Sequence, residues 1–344
     1  MAGVQASGDT PRDGGRPSYR QRSGAAEMTG GKVFLTGADG FIGSAIARAL
    51  GEHRVDMVRH VRPGRREPSS PLPGSKAPAD LAHAGELAQA MRGARIIIHA
   101  AAHVGVDPVL QREVNVEGTR NMVAAAQAVG AGRLIYLSTT GVYGGQSLHG
   151  ETEEQAVARP VSTLSRSRYE AERIVLDAGG TVVRPNLVFG TGDRWFLGPL
   201  IRLMMFVGGW IGDGDARVST IERLELGRLV ARLALAEHPA GVYHAAAPAP
   251  VPVRSLVAPV LARLGMPALR TTVAVERAIS QAAPLGVSPR QIAMVAVDNW
   301  LNVTKIWHAA GGVALPATVS DTIADWYAEQ LTQPGPGRRE PASS

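Results

Sequence analysis

The chain has 344 residues, 45 % of them hydrophobic, enough to bury one large core with a smaller lobe beside it. Its longest apolar stretch, residues 197–211, is interrupted by Arg202 and by Gly208-Gly209, which excludes a membrane span, and the lack of cysteine excludes disulfides and thiolate metal sites and fits a reducing cytoplasm. A formal charge of +6 suggests nucleic acid, but no basic stripe with interleaved aromatics supports it, so a small-molecule substrate is the expected partner.

Residues 1–27 are rich in Gly, Arg, Ser and Pro and lack the apolar core of a signal peptide, so they read as a disordered leader. Met28 stands just before the first strand and reads as the true start. Apolar runs and helical spacing then alternate: strand 32–36, helix 42–50, a strand within 55–61, a Pro/Ser/Gly loop 63–79, helix 84–91, strand 95–99, helix 114–129, strand 133–138, helix 166–177 and strand 181–184. The tail from Gln333 is loose. This rhythm predicts an α/β fold, a doubly wound parallel sheet of Rossmann type over 28–195, with a smaller substrate lobe over 196–332 that partly returns to the sheet, and a disordered tail 333–344.

Between the first strand and the first helix stands Thr36-Gly37-Ala38-Asp39-Gly40-Phe41-Ile42-Gly43. Three glycines in a strand-to-helix turn let a pyrophosphate approach the exposed N–H groups of the helix start, so Gly37, Gly40, Phe41, Ile42 and Gly43 are candidate dinucleotide contacts. In such folds an acid ending the second strand accepts from a ribose hydroxyl, whereas an arginine there pairs with a 2′-phosphate. Here the strand ends in Arg59, His60, Val61 and Arg62, with Arg65, Arg66 and Lys76 beyond. NADP is therefore the expected cofactor, with Arg59 or Arg62 on its phosphate and NAD as the alternative.

With these motifs the chain, from about 32 to about 331, resembles the extended short-chain dehydrogenases, the NAD-dependent epimerase/dehydratase family. TGADGFIG is similar to the family's TGxxGFxG, and Asp80-Leu81 resembles its adenine partner. His99-Ala100-Ala101-Ala102 resembles the segment lining the cofactor, Asn115-Val116-Glu117-Gly118-Thr119 a helix start, and Arg184-Pro185-Asn186-Leu187-Val188-Phe189-Gly190 the R-P-x-N-V-Y-G stretch. The resemblance implies cofactor contacts at Asp80, Leu81, Ala100, Ala101, Ala102, Pro185 and Asn186. Leu137 to Gly144 resembles the S-S-x-x-V-Y-G strand end, which implies that Thr139 orients the substrate oxygen. Gly212-Asp213-Gly214 is similar to a family segment too, but Arg223-Leu224-Glu225 replaces the acidic pair that follows it.

The family's Tyr-x-x-x-Lys motif falls on Leu164-Ser165-Arg166-Ser167-Arg168. Leu164 cannot exchange a proton. Arg168 keeps a charge and hydrogen bonds for the nicotinamide ribose but does not readily lose its proton. Tyr169 lies one residue further round a helix, about 100° away. Losing a general acid costs about 10²–10⁴-fold, so in a hydride transfer the proton must come from His103, from Thr139 acting through water or from the substrate itself, and His103 is favoured because imidazole exchanges protons near neutral pH. The expected function is an NAD(P)-binding oxidoreductase, epimerase or dehydratase acting on a carbonyl or hydroxyl substrate such as a nucleotide sugar or specialised metabolite. A non-redox lyase or cyclase and an inactive cofactor-binding protein are the alternatives. The chain carries no G-x-S-x-G elbow and no metal-ligand spacing, and the family resemblance admits a homodimer.

Overall fold

The computed structural model describes residues 31–64, 71–313 and 315–333. The expected leader 1–27, Met28, Arg65, Arg66 and all of the tail but Gln333 lie outside them. Seven strands form the main sheet: β1 (Lys32–Thr36), β2 (Met57–Val61), β3 (Ser75–Pro78), β4 (Ala94–His99), β5 (Arg133–Leu137), β6 (Thr181–Pro185) and β7 (Gly241–Ala245). Every pairing is parallel and the order is β3-β2-β1-β4-β5-β6-β7. Chain order reverses between β1 and β4, which opens a crevice at the carboxyl ends of these strands. Val33, Phe34 and Leu35 are fully buried, as expected of a strand covered on both faces, whose sequence then reads as one apolar run.

One face of the sheet packs on helices Phe41–Glu52, Arg223–Leu235 and Thr304–Ala310. The other packs on Ala84–Ala90, Gly118–Ala128 and Thr163–Asp177. A separate core unites Leu197–Val207, Val253–Arg263, Val275–Ala282, Pro289–Ala296 and Asp321–Thr332 into a lobe. The segment from 196 onward thus contributes both that lobe and, through β7 and the helices at 223 and 304, part of the sheet layer. Among the described residues no helix is long and apolar enough to cross a membrane.

Three elements differ from the sequence expectation. The loop over 63–79 contains edge strand β3, whose residues are mostly exposed and therefore lack apolar alternation; Pro78 is tolerated because an edge strand leaves one row of N–H groups unused. The helix expected at 114–129 starts earlier, with the turn Pro108–Gln111. Asp107 caps it by accepting from Val109 N (2.8 Å) and Leu110 N (3.3 Å), and Pro108 occupies the first turn. Residues Arg112–Glu117 are then π-helical before Gly118–Ala128. The wider turn shifts the apolar period, which hides the upstream start. Helix Thr163–Asp177 also begins earlier than expected, because Ser162 and Ser165 form a reciprocal capping box.

Candidate active site

At the end of β1 the backbone of Gly37 turns with φ +68°. A Cβ on Gly37 would lie 2.6 Å from Ala100 C and Ala101 N, and one on Gly43 would lie 2.0 Å from Gly37 O. The loop is therefore pressed against the Ala100–Ala101 segment beneath it and against the first turn of the helix above it. Gly40 N donates to Gly37 O at 2.9 Å, and Gly40 caps the helix with no side-chain hydrogen bond. The first-turn N–H groups at Phe41, Ile42 and Gly43 are consequently left for an anion, in the positive field of a 12-residue helix.

The Ala100–Ala102 segment is tied to β1 by a buried relay. Ala101 N donates to Thr36 Oγ1 (3.2 Å), Thr36 Oγ1 pairs with His99 Nδ1 (2.7 Å), His99 Nε2 pairs with Thr119 Oγ1 (3.1 Å), and Thr119 Oγ1 donates to Asn115 O (2.6 Å). Because each hydroxyl has one proton, only one assignment satisfies every bond: His99 donates from Nε2 and accepts at Nδ1. Burial, then the charge of Arg168, holds the His99 pKa down to about 3, so the ring is neutral.

Arg59 and Arg62 occupy different environments at the end of β2. Arg59 is buried, with its guanidinium 3.6 Å from Asp39 in the glycine loop. Arg62 is exposed. His60 between them donates from Nε2 to Ala79 O at 2.8 Å, and burial lowers its pKa. Asp80 is exposed and accepts from Ala82 N at 3.0 Å, while Leu81 O accepts from Asn121 Nδ2 at 2.9 Å.

Further along the crevice, Asn115 accepts from His103 N (2.8 Å) and donates to His103 O (3.0 Å) and to Ser167 Oγ (3.0 Å); Ser167 Oγ in turn donates to Leu164 O (2.9 Å). His103 and the turn bearing Leu164 are thus joined through one amide. His103 Nε2 is buried with no hydrogen-bond partner. Arg168 Nη2 donates to Leu137 O, its Cζ lies 4.9 Å from the centre of the Tyr136 ring, and its Nε is buried without a partner. Thr139 caps a short 3₁₀ turn, accepting from Gly141 N at 3.0 Å, which leaves its hydroxyl proton for another acceptor. Thr140 Oγ1 donates to Asn186 Oδ1 at 2.8 Å, next to buried Pro185. Tyr169 packs on the cluster of Val142, Tyr143, Leu148, Ala156 and Leu301.

Behind Thr139 lies a buried polar network. Glu172 holds Arg184 through two bonds (3.0 and 2.6 Å), Arg184 Nη1 donates to Tyr143 OH (2.6 Å), Tyr143 OH pairs with His244 Nε2, and His244 Nδ1 pairs with Asn302 O (3.0 Å). Burial pushes the Tyr143 phenol up to about 12 and holds His244 down to about 4. Tyr143 thus orders the loop and does not face the crevice as an acid. The sequence motifs contain Asp39, Asn115, Tyr143, Ser167 and Arg184 only as letters of a pattern, and the lobe residue Arg290, whose Nη2 donates to Gly141 O at 3.2 Å, lies in none of them. The Asp39–Arg59 contact had a signal: an acid inside the glycine turn facing a basic β2.

A family model described as the NAD dependent epimerase/dehydratase family matches residues 33–204, half of the chain. A 2-alkyl-3-oxoalkanoate reductase of Shewanella oneidensis is 30% identical over 177 residues, 47% of this chain and 46% of that protein. The chain spans about half the length of the curated relatives it matches in this way. A 2-alkyl-3-oxoalkanoate reductase of Stenotrophomonas maltophilia is 29% identical over 262 residues, 69% of this chain and 76% of that protein. Among solved structures, UDP-glucuronic acid 4-epimerase from Bacillus cereus in complex with NAD superposes with a TM-score of 0.66 at 17% identity, covering 88% of this chain and all of the other (100%). That level of identity speaks to the fold.

Proposed function

We propose, from the premise that this chain belongs to the NAD-dependent epimerase/dehydratase family, that it is an NADP(H)-dependent oxidoreductase acting on a small carbonyl or hydroxyl compound. The observation that carries this reading is the glycine cradle: two positions where no Cβ fits, opening onto an uncapped helix start at the switch point of the sheet. A pyrophosphate fits those donors. Arg62 takes the 2′-phosphate, since it is exposed at the end of β2, while Arg59 is committed to Asp39 and fixes the glycine loop. Asp80 and Leu81 border the adenine, and Ala100, Ala101, Ala102, Pro185 and Asn186 line the far side.

When bound, the nicotinamide supplies or accepts the hydride. Thr139 would orient the substrate oxygen by a hydrogen bond from its free hydroxyl, keeping its proton, and Arg168 would hold the ribose with the N–H groups not spent on Leu137 O. His103 supplies the proton that Leu164 cannot, a role supported by an unpartnered ring nitrogen on a backbone pinned at both ends by Asn115. The names of the relatives favour a 3-oxoalkanoate as a first substrate to try. With that substrate and NADPH, His103→Ala should lower kcat by about 10²-fold and leave NADPH affinity unchanged. Full activity in His103→Ala removes it from the mechanism. Leu164 favours one second reading, a non-redox lyase or cyclase, for which the protein would bind NADPH yet convert its substrate with no net oxidation of the cofactor.

A further inference from the structure

Helix Pro289–Ala296 belongs to the lobe and buries Ile292 and Val295 in the lobe core. At about 100° per residue, Arg290 lies on the opposite side from Ile292. Its side chain leaves the lobe and reaches the loop after β5: Nη2 donates to Gly141 O at 3.2 Å, and Cγ lies 4.0 Å from where a Cβ on Gly145 would stand. Gly141 N in turn donates to Thr139 Oγ1 at 3.0 Å. A cation from the lobe is therefore tied, through Gly141, to the turn that Thr139 caps.

The environment of this guanidinium differs from that of the arginines held by a carboxylate, and resembles that of Arg168, which also bonds to a backbone carbonyl. Arg184 has Glu172 at 2.6 Å, Arg228 has Glu225 at 2.6 Å and Arg59 has Asp39 at 3.6 Å. Arg290 is half-buried, its Nε is buried without a partner, and among the described residues no carboxylate pairs with it. Burial lowers its pKa, with no charge nearby to offset this. Holding an arginine in such a place for one bond to a backbone carbonyl costs stability that a bound anion would return. One of its five N–H groups is used by Gly141, and the remaining fork matches a planar or tetrahedral oxyanion.

We propose that Arg290 is a specificity-determining residue that pairs with an oxyanionic group, carboxylate or phosphate, carried by the substrate close to its reacting carbon. This rests on the reading of the crevice as an oxidoreductase site. The chemistry selects a substrate in which carbonyl and anion are a few bonds apart, in place of one neutral throughout.

Calorimetric titration of the full-length protein loaded with NADP⁺ tests this apart from turnover. The probes are 3-hydroxyoctanoate, octyl phosphate and neutral octan-2-ol, with wild type, Arg290→Met and Arg290→Lys. At least one anion should bind wild type more tightly than the alcohol does, and Arg290→Met should weaken it about 10- to 100-fold, the worth of a charge-assisted bond. Arg290→Lys should recover part of the loss, and alcohol binding should be unchanged throughout, which also shows that the variants are folded. Whichever anion loses more identifies the source. Failure of wild type to bind either anion, or undiminished binding by Arg290→Met, overturns the proposal. Turnover of 3-oxooctanoate with NADPH is followed in parallel. Anion binding that depends on Arg290, without any turnover, upholds the anion site and counts against the redox reading.

Discussion

In the proposed site the backbone would do the binding at the switch point between β1 and β4, whereas at the other end of the crevice, between Thr139 and Leu164, side chains from several segments would have to meet. The cofactor end needs no particular side chain at Gly37 or Gly43, only the absence of one, because neighbouring backbone lies within 2.6 and 2.0 Å of the missing Cβ atoms. The substrate end joins His103, Asn115, Ser167 and Leu164 through one chain of hydrogen bonds and borrows Arg290 from the lobe. A site made of backbone tolerates almost no change. A site made of side chains could, on the proposed reading, lose its usual acid at Leu164 and pass the role to another group.

The largest effect is therefore expected in the cradle. Gly43→Ala forces its methyl group onto Gly37 O, which should cost about 1–3 kcal/mol of stability and reduce cofactor affinity by about 10²-fold or more by moving the N–H donors. Denaturant unfolding and NADPH titration would check both, and a variant that bound normally would break the contrast between the two ends.

Next in size is an acid effect at the relay joining them. His99 has its pKa lowered to about 3 in the fold, by burial and then by Arg168, against 6.5 when unfolded. Between these values the unfolded chain binds the extra proton and the native chain does not. Stability is thus full above pH 6.5 and falls as pH drops towards 3, by about 1.4 kcal/mol per unit for this group. His244, lowered to about 4, acts in the same direction. Unfolding curves from pH 7 to 4.5 should show the loss, and His99→Asn should be weaker at pH 7 but flatter in acid. An unchanged slope would mean that other groups govern it.

The smallest effect is expected at Leu164. Restoring the missing hydroxyl with Leu164→Tyr should change turnover by less than about threefold if, as proposed, the proton passes through His103. A rise of tenfold or more would mean that the position still works as the family's acid and that the regrouping is incomplete.

The same contrast decides what the sequence revealed. Close backbone approach can be met only by glycine or alanine, so the cradle and the Ala100–Ala102 segment are visible as letters. The buried strands are visible as apolar runs, but edge strand β3 is not, since Ser75–Pro78 buries too little to pattern its sequence. The π-helical turn at Arg112–Glu117 hides both the start of its helix and the geometry that aims Asn115. Arg290 is separated from Gly141 by 149 residues, and nothing local distinguishes it from the other arginines of a basic chain. The different burial of Arg59 and Arg62, which sets Arg59 against Asp39 of the glycine loop, is likewise invisible in the sequence.

The most direct measurement is a fluorescence titration of wild type and Arg62→Ala with NADPH and with NADH at one ionic strength. Wild type should bind NADPH at least about tenfold more tightly than NADH, as a charge-assisted contact to the 2′-phosphate implies, and Arg62→Ala should lose that preference while keeping its NADH affinity. Equal affinities unaffected by the substitution, or no saturable binding of either cofactor, would contradict the account.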